Sequence, residues 1–589
     1  MPRRRTDALN PAPAAESQSS LGRVEWYAPA GDSDGWLLAG TVDRPWPDRV
    51  DTADATFDQG MLSGAVLSVF LSDGDSRSVR FLSCFQALRP PVGRLRRLES
   101  PHQLHLDASD ARLEDPITAG AQARGMLHGL STPGDVVTAI RSALALPAWT
   151  GVDSLTPLGL PLRLVIDAVI KVPPHGLAIE GALLDPTHQV IRLALRQGSA
   201  SHALEPGDWA VMPRPELALA GEAGGDNLRY NGSAGFLAYA EGPFVDSQPS
   251  CMEVETRSGA VGHLPLPAAF EPSGLVLIEH LLGWPRQPLS RMQAVMSRTI
   301  GPVTRALNRA RLAARPTLQR ADFGQSPEVP ERALIIPLHG RLDFMAMQLA
   351  LFSARPDPAT EIIYVLDDPR LAGEAERLAH SCWMRFALPF SLIDLRAHLG
   401  YSPANNAGLA AARAAHICLL NADVFPRHGE GMSWLEPLCR PLSDPRTGAV
   451  GATLLFEDDT LQHAGMEYSQ VPGMPPWPFP QHPGKGARPA DAAGGMVEVT
   501  AVTGACLALR RADVLAQGGL DEDCIIADFE DASLCESLRR RGHRIMLKRD
   551  VVLYHLERQT PGSHAPWRFG ATLVNASHFA ARWKPDARN

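Results

Sequence analysis

At Ala333 the chain changes period, and that change constrains the fold more than any other feature. Apolar runs at 333–338, 361–366, 390–395 and 416–421 alternate with longer helical stretches. Strands alternating with helices imply a mainly parallel sheet joined by right-handed crossovers. An alanine-rich helix at about 404–415 returns the chain to the sheet. Ligands of such a sheet gather at the C-terminal ends of its strands. There the run Ile417-Cys418-Leu419-Leu420 stops at Asn421-Ala422-Asp423. A buried strand ending this way delivers a carboxylate to a site, so Asp423 is placed to hold a divalent metal. Farther on, Asp528, Glu530 and Asp531 precede an amphipathic helix. The helix dipole tolerates negative charge at that end, and a carboxylate there can act as a general base.

The 589 residues are too many for one core; several domains are expected. Residues 1–20 begin with three arginines and continue polar and Pro/Ala/Ser-rich, without the apolar core of a secretory signal. They are expected to be a disordered tail. From about 22 to 270, short alternating segments such as 65–71, 79–85 and 162–172 are broken by Gly, Pro, Asp and Ser. This is the pattern of β-sandwich modules, divided here into 21–150 and 151–272. An echo between 35–43 and 176–185, each a Gly-bounded apolar strand, supports two modules. Residues 273–330 read as a basic helical linker. Its stretch 281–320 carries eight arginines and no acid, with Met292, Val295, Met296, Ile300, Val303 and Leu307 at helical spacing and Pro302 placed to start a helix. Such a connector packs on a neighbouring domain or makes a peripheral contact with anionic lipid headgroups.

A net charge of −9 gives no reason to invoke nucleic acid. The eight cysteines are scattered without C-x-x-C spacing, as expected of buried thiols in a reducing compartment. No stretch reaches the roughly 18 apolar residues that span a bilayer. The expectation is a cytoplasmic protein, with any membrane contact peripheral, at the inner face of the cytoplasmic membrane.

An ordered set of motifs then becomes specific: Ile336-Pro337-Leu338, Val365-Leu366-Asp367-Asp368, Asn405-Asn406-Ala407-Gly408, Leu419-Leu420-Asn421-Ala422-Asp423 and Thr503-Gly504-Ala505-Cys506. Leu461-Gln462-His463-Ala464-Gly465, Gly518-Gly519-Leu520-Asp521-Glu522, Phe529-Glu530-Asp531 and Tyr554-His555-Leu556-Glu557-Arg558 extend it. Together they resemble glycosyltransferase family 2 over about 331–583, with the nearest likeness to rhamnosyltransferase-like members of bacterial surface polysaccharide synthesis, lipopolysaccharide included. The resemblance implies a GT-A, Rossmann-like α/β domain at 331–589. It also implies a metal-dependent, inverting transfer from a nucleotide-sugar donor to a saccharide or lipid-linked glycan acceptor.

Residue by residue, the resemblance places Asp367 against the donor's base, with Pro337, Asp368, Asn406 and Asn421 completing the donor site. Asp423 closes a DXD-like motif and holds Mg²⁺ or Mn²⁺, and His555 completes the metal shell. Asp531 becomes the general base, with Glu530, Asp528 and Gly504 shaping the acceptor pocket. Asn421 departs from the pattern, since many relatives carry Asp there, so the metal loses one possible anionic ligand. His463 is expected to be structural. Arg558 and His564 are placed either to meet the diphosphate or to lie in an exposed C-terminal segment, and the Pro- and Trp-rich segment around Trp477 to form a lid or an ordered loop. A nucleotidyltransferase is disfavoured, because His339-Gly340-Arg341-Leu342-Asp343 carries one glycine where a triphosphate requires a Gly-rich loop. The remaining alternative is a carbohydrate-binding scaffold with a degenerate transferase domain.

Overall fold

The computed structural model describes residues 18–30, 35–43, 55–57, 67–71, 78–86, 94–99, 102–128, 135–214, 234–271, 274–284, 287–489, 494–557, 559 and 565–584. The expected tail falls mostly outside them, although 18–20 already belong to the strand Gln18–Ala30.

The first module is a single sheet of eight described strands, with Gln18–Ala30 and Gly35–Asp43 near its centre. Helices Pro116–His128 and Asp135–Ala143 cover one face, where Ala119, Ala123, Leu127, Val137 and Ile140 meet Trp26, Leu37 and Leu82. The expected sandwich is corrected here. A sheet face must be covered, and these helices do the covering. The second module is built from two sheets. Two four-stranded antiparallel sheets enclose Val169, Ile179, Phe236, Leu195, Met252 and Val254. The echo marks strands Gly35–Asp43 and Gly176–Leu184, each internal to its own sheet.

The linker is helical as expected: α1 (Val276–Leu282), then α2 (Leu289–Val295) continuing through a π-turn into α3 (Gly301–Ala313). Six of its seven described arginines bond within the chain. Arg291 reaches the Trp209 carbonyl (3.0 Å), Arg298 Asp208 (3.1 Å), Arg311 the Leu399 carbonyl (2.9 Å) and Arg320 Ser391 (2.9 Å). Arg309 and Arg315 pair with Asp523 and Glu522, and Arg305 is largely buried. These cations fasten the linker to its neighbours, as a packed connector requires.

The C-terminal sheet contains β1 (Gln319–Phe323), β2 (Arg332–Leu338), β3 (Thr360–Leu366), β4 (Phe390–Asp394), β5 (His416–Leu420), β6 (Val424–Pro426), β7 (Thr447–Leu455), β8 (Leu461–His463), β9 (Met496–Val499), β10 (Cys506–Arg510) and β11 (Arg544–His555). Its order is β1-β4-β3-β2-β5-β10-β7-β11-β6, with β8 on β7 and β9 on β11. Strands β4, β3, β2 and β5 are parallel, and β10 then runs antiparallel, so the sheet is mixed. It starts inside the stretch 273–330 read as a helical linker, because β1 pairs with β4.

Alternation divides the strand residues between two cores. Ile335, Ile363, Val365, Ile393 and Leu419 face the linker helices and α8 (Pro566–Trp583). Leu334, Ile336, Tyr364, Leu366 and Leu420 face α4 (Asp343–Ala354) and α5 (Ala372–Phe386). With both faces buried, the strands are continuously apolar. All eight cysteines are buried and free. Among the described residues no helix is long and apolar enough to cross a membrane.

Candidate active site

A cavity opens at the C-terminal ends of β2, β3 and β5. It is lined by Pro337, Asp367, Asn421 and Asp423 of the predicted set, together with His339, Arg341, His398, Tyr401, Ile526 and Arg568. Asp367 leaves the end of β3 buried, and its carboxylate accepts from the backbone of the turn after β4. Gly400 N–H donates to Oδ2 at 2.9 Å and Leu399 N–H to Oδ1 at 2.5 Å, with His398 Nδ1 2.9 Å from Oδ2. The His398 ring stacks on His339 with centroids 4.1 Å apart. Burial and the neighbouring His398 push the His339 pKa down. Asp367 therefore shapes one wall of the cavity while holding its turn.

Two predicted donor residues face elsewhere. Asp368 caps the short helix Pro369–Leu371, with its oxygens on the Arg370 backbone and guanidinium at 2.8–3.1 Å. Strand β3 ends at Leu366, so the two side chains that follow diverge, and Asp367 is the one that lines the cavity. Asn406, on α6 (Tyr401–Ala411), donates to the Leu520 carbonyl (3.0 Å) and Glu522 (2.9 Å) and accepts from Leu520 N–H (2.8 Å). It braces the tight turn at Gly518-Gly519, where φ is +88° and +89° and a side chain on Gly519 would lie 2.4 Å from Asn406 Oδ1. Asn406 thus braces this turn, with its carboxamide spent on the Leu520 backbone and the Glu522 carboxylate.

The predicted metal pair does come together. β6 pairs with β11 so that Val424 lies opposite His555, which sets His555 Nε2 3.4 Å from Asp423 Oδ1. That spacing suits neighbouring ligands each about 2.1 Å from one cation. His555 Nδ1 and Asn421 Oδ1 are both buried without a hydrogen-bond partner. An unpartnered buried polar atom is costly, and a cation with its water shell suits Asn421 Oδ1 and the Asp423 carboxylate. The residues therefore fit Mg²⁺ or Mn²⁺. Ligand-type atoms also converge at His339, Asp367 and His398, and at Asp521, Asp523 and His578. The second group is already neutralised by Arg582 and Arg309.

The acid pair begins α7 (Glu530–Arg540). Asp531 Oδ2 accepts from Gly504 N–H at 2.9 Å and Oδ1 from Ala532 N–H at 2.7 Å. The Tyr401 hydroxyl donates to the Gly504 carbonyl at 2.9 Å. Gly504 thus joins Asp531 to Tyr401, one of the residues lining the cavity. Asp528 is exposed and accepts from Thr572 at 2.6 Å. Burial raises the Asp531 pKa, while the Gly504 and Ala532 amides pull it back. Glu530 is pushed well above the usual carboxylate range, first by burial and then by Asp531 and Asp528, and its Oε2 has no partner. Both acids are pushed up, Glu530 further than Asp531, so that of the two Glu530 holds a proton more readily.

His463 is buried and structural as expected. Its Nδ1 lies 2.9 Å from His482 Nδ1, and its Nε2 is 3.3 Å from Gly465 N. The segment around Trp477 is ordered: Trp477 and Phe479 are buried, and Phe479 packs edge-on against Phe529 beside the acids. Arg558 and His564 lie outside the described residues. Sequence reasoning missed His398 and Arg568, and passed over His339 and Arg341 as part of a loop with a single glycine. The signal for that pair was available, since both follow closely on the end of β2.

The glycosyl transferase family 2 model matches residues 333–512. Those residues are a family 2 glycosyltransferase domain. The uncharacterized protein y4gI of Sinorhizobium fredii is 30% identical over 185 residues, 31% of this chain and 20% of that protein. The O-antigen biosynthesis protein RfbC of Myxococcus xanthus is 31% identical over 163 residues, 27% of this chain and 12% of that protein. The chain thus spans a fifth or less of these relatives. Among solved structures, the mannosyltransferase PcManGT of Pyrobaculum calidifontis, in complex with GDP-Man and Mn²⁺, gives a TM-score of 0.32 at 16% identity, covering 53% of this chain and 77% of that one. GalNAc-T7 with UDP, GalNAc and Mn²⁺ gives 0.33 at 14%, covering 42% and 48%. In the family 2 domain the match ends before Asp531, His555 and α8, so part of the site comes from chain beyond it.

Proposed function

We propose that the chain is a metal-dependent, inverting glycosyltransferase of GT-A type. It moves a sugar from a nucleotide-sugar donor to a saccharide or lipid-linked glycan in bacterial surface polysaccharide synthesis. The observation that carries this reading is the meeting of Asp423 and His555 at 3.4 Å, on the cavity of a family 2 domain.

Asp423 and His555, with Asn421 Oδ1 beside them, would hold Mg²⁺ or Mn²⁺, which neutralises charge on the departing diphosphate. Pro337 and Asp367 face the nucleoside, and Arg341 and Arg568 supply cations to the phosphates. The acceptor oxygen bonds to the anomeric carbon as the bond from that carbon to the diphosphate oxygen breaks on the opposite face. The bonding electrons leave with the diphosphate, and the acceptor's proton passes to Asp531. Each Asp531 oxygen keeps a lone pair beyond the one its amide partner uses, and a neutral Glu530 spares it a second adjacent charge. The second β module meets the linker and residues 397–399 at a cleft of about 1080 Å³, and this face is assigned to acceptor glycan.

The test is nucleotide release from a panel of nucleotide-sugars with and without Mn²⁺, comparing wild type with Asp423→Asn and Asp531→Asn. Metal-dependent release from one donor, lost in Asp423→Asn and reduced at least about 100-fold in Asp531→Asn, is expected. A folded wild type that binds glycan and releases nucleotide from no donor would leave the scaffold alternative.

A further inference from the structure

The loop before the acid pair holds a backbone it would not keep alone. Ile526, Asp528 and Phe529 have φ of +65°, +83° and +74°. For residues with a side chain this left-handed region is strained, β-branched isoleucine most of all, and such strain persists only where the surroundings impose it. Three strained residues within four, directly before Glu530 and Asp531, require an external hold.

That hold comes from α8. Asn575 is fully buried and spends its whole carboxamide on this loop. Its Nδ2 donates to the carbonyls of Ala527 (2.8 Å), Asp528 (3.1 Å) and Ile525 (3.2 Å), while Oδ1 accepts from Ile525 N–H (2.8 Å). One turn earlier Thr572 holds the Asp528 carboxylate at 2.6 Å, and one turn later Phe579 packs on Phe529 with centroids 5.5 Å apart. The three contacts share one helix face, as positions three and four apart must. From its other side the loop reaches the donor wall. The Ile526 carbonyl accepts from Tyr401 N–H at 2.6 Å, directly after the Gly400 amide that binds Asp367.

We propose that Asn575 is a positioning residue of the transfer reaction. It fixes the strained 525–529 loop so that the acid pair and the Tyr401 wall keep one mutual geometry. This rests on the transferase reading, with Asp531 as base. Nothing in Asn575 reaches the cavity, so its effect is transmitted through the loop backbone. Loss of the carboxamide lets 526–529 relax to ordinary φ and rotates the start of α7, moving Asp531 relative to the donor. A displacement of about 1 Å at a reacting group is enough for a roughly 100-fold loss in rate.

The experiment uses the full chain and compares Asn575→Ala and Asn575→Asp with Thr256→Val. Thr256 is a buried polar residue of the second module that bonds the Ala260 carbonyl at 2.9 Å, away from this loop and the cavity. Expected for both Asn575 variants is a roughly 100-fold lower kcat, a donor KM within about twofold, a displaced acidic limb of the kcat–pH profile, and faster amide exchange confined to about 525–532. Thr256→Val should leave the pH profile in place. An unshifted profile with unchanged exchange in folded Asn575 variants overturns the proposal, as does a rate loss matched by Thr256→Val. Should wild type act on no donor, the transferase reading fails by itself. NMR titration of the Glu530 and Asp531 carboxyls then decides: displacement in Asn575→Ala upholds the positioning role and unchanged titration overturns it.

Discussion

Replacing Glu530 with glutamine removes a buried ionisation and keeps the shape. In the folded chain burial, Asp531 and Asp528 all push the Glu530 pKa up. The folded state therefore binds a proton more readily than the unfolded chain, whose glutamates titrate near about 4.3. By linkage, this acid's contribution is fully present below about pH 4 and is lost as pH rises through the window above it. At pH 7 the cost of holding the acid neutral has a ceiling of about 3.7 kcal/mol, from about 1.36 kcal/mol per unit over the interval from 4.3. Glutamine escapes that cost but sets an amide where Oε2 has no partner, and a buried unsatisfied group costs about 1–3 kcal/mol. Glu530→Gln should thus stabilise α7 by at most roughly 2.7 kcal/mol at pH 7 and destabilise it by about 1–3 kcal/mol at pH 4, where no ionisation cost is left to escape. Native-state amide exchange of α7, run at both pH values, reads this locally where a chain of several modules does not unfold in one step. A variant less stable than wild type at pH 7, or a difference independent of pH, would falsify the account of Glu530 as a strained, destabilising acid.

Two further outcomes are expected. Acidification should loosen the segment around Trp477: burial, helped by His482, holds His463 well below its usual range, and burial lowers His482 to about 4. Both histidines are then neutral in the fold and their contribution is lost as pH falls from about 6.5, so exchange at 474–489 should rise toward pH 4 in wild type and far less in His482→Gln; equal responses refute the pairing. Asn406→Ala should cost about 2–3 kcal/mol through the Leu520 backbone groups it strands, while the donor KM stays within about twofold; a large KM change would return Asn406 to the donor site.

How far the molecule was legible depends on what each feature writes into sequence. The buried strands β2, β3 and β5 were visible because both faces demand apolar side chains, and their ends located Asp367 and Asp423. Strand β1 was invisible: four of its five residues are exposed, as befits an edge, so no hydrophobic pattern marks it. The two helices of the first module were hidden for a related reason. Pro116–His128 is rich in Ala and Gly, and small residues let it lie close to the sheet without an apolar stripe. Motif position predicted which residues end a strand but not where they turn, and so Asp368 and Asn406 were grouped with ligand-facing neighbours. Asn575 carried no signal, since an asparagine inside a helix looks the same whether it meets water or four backbone groups.

The family 2 match covers 333–512, yet the forces holding its site come largely from outside that span. Arg311 of the linker bonds the Leu399 carbonyl, on the turn whose amides hold Asp367. Asn308 bonds Glu522, which Asn406 also grips. Helix α8 clamps the acid loop and packs so closely on α1 that a side chain on Gly570 would lie 2.0 Å from the Leu282 carbonyl. One continuous core then runs from Ile170 and Val172 of the second module through Val295, Ile300 and Val303 to Ile335 and Ile363 of the sheet. Cutting the chain at the family boundary would expose that apolar seam to water, at about 25 cal/mol per Å² of newly wetted surface. It would also release both braces of the cavity wall. The linker and α8 are therefore structural parts of the site, and the geometry of Asp367 and Asp531 is set jointly by segments before and after the matched domain.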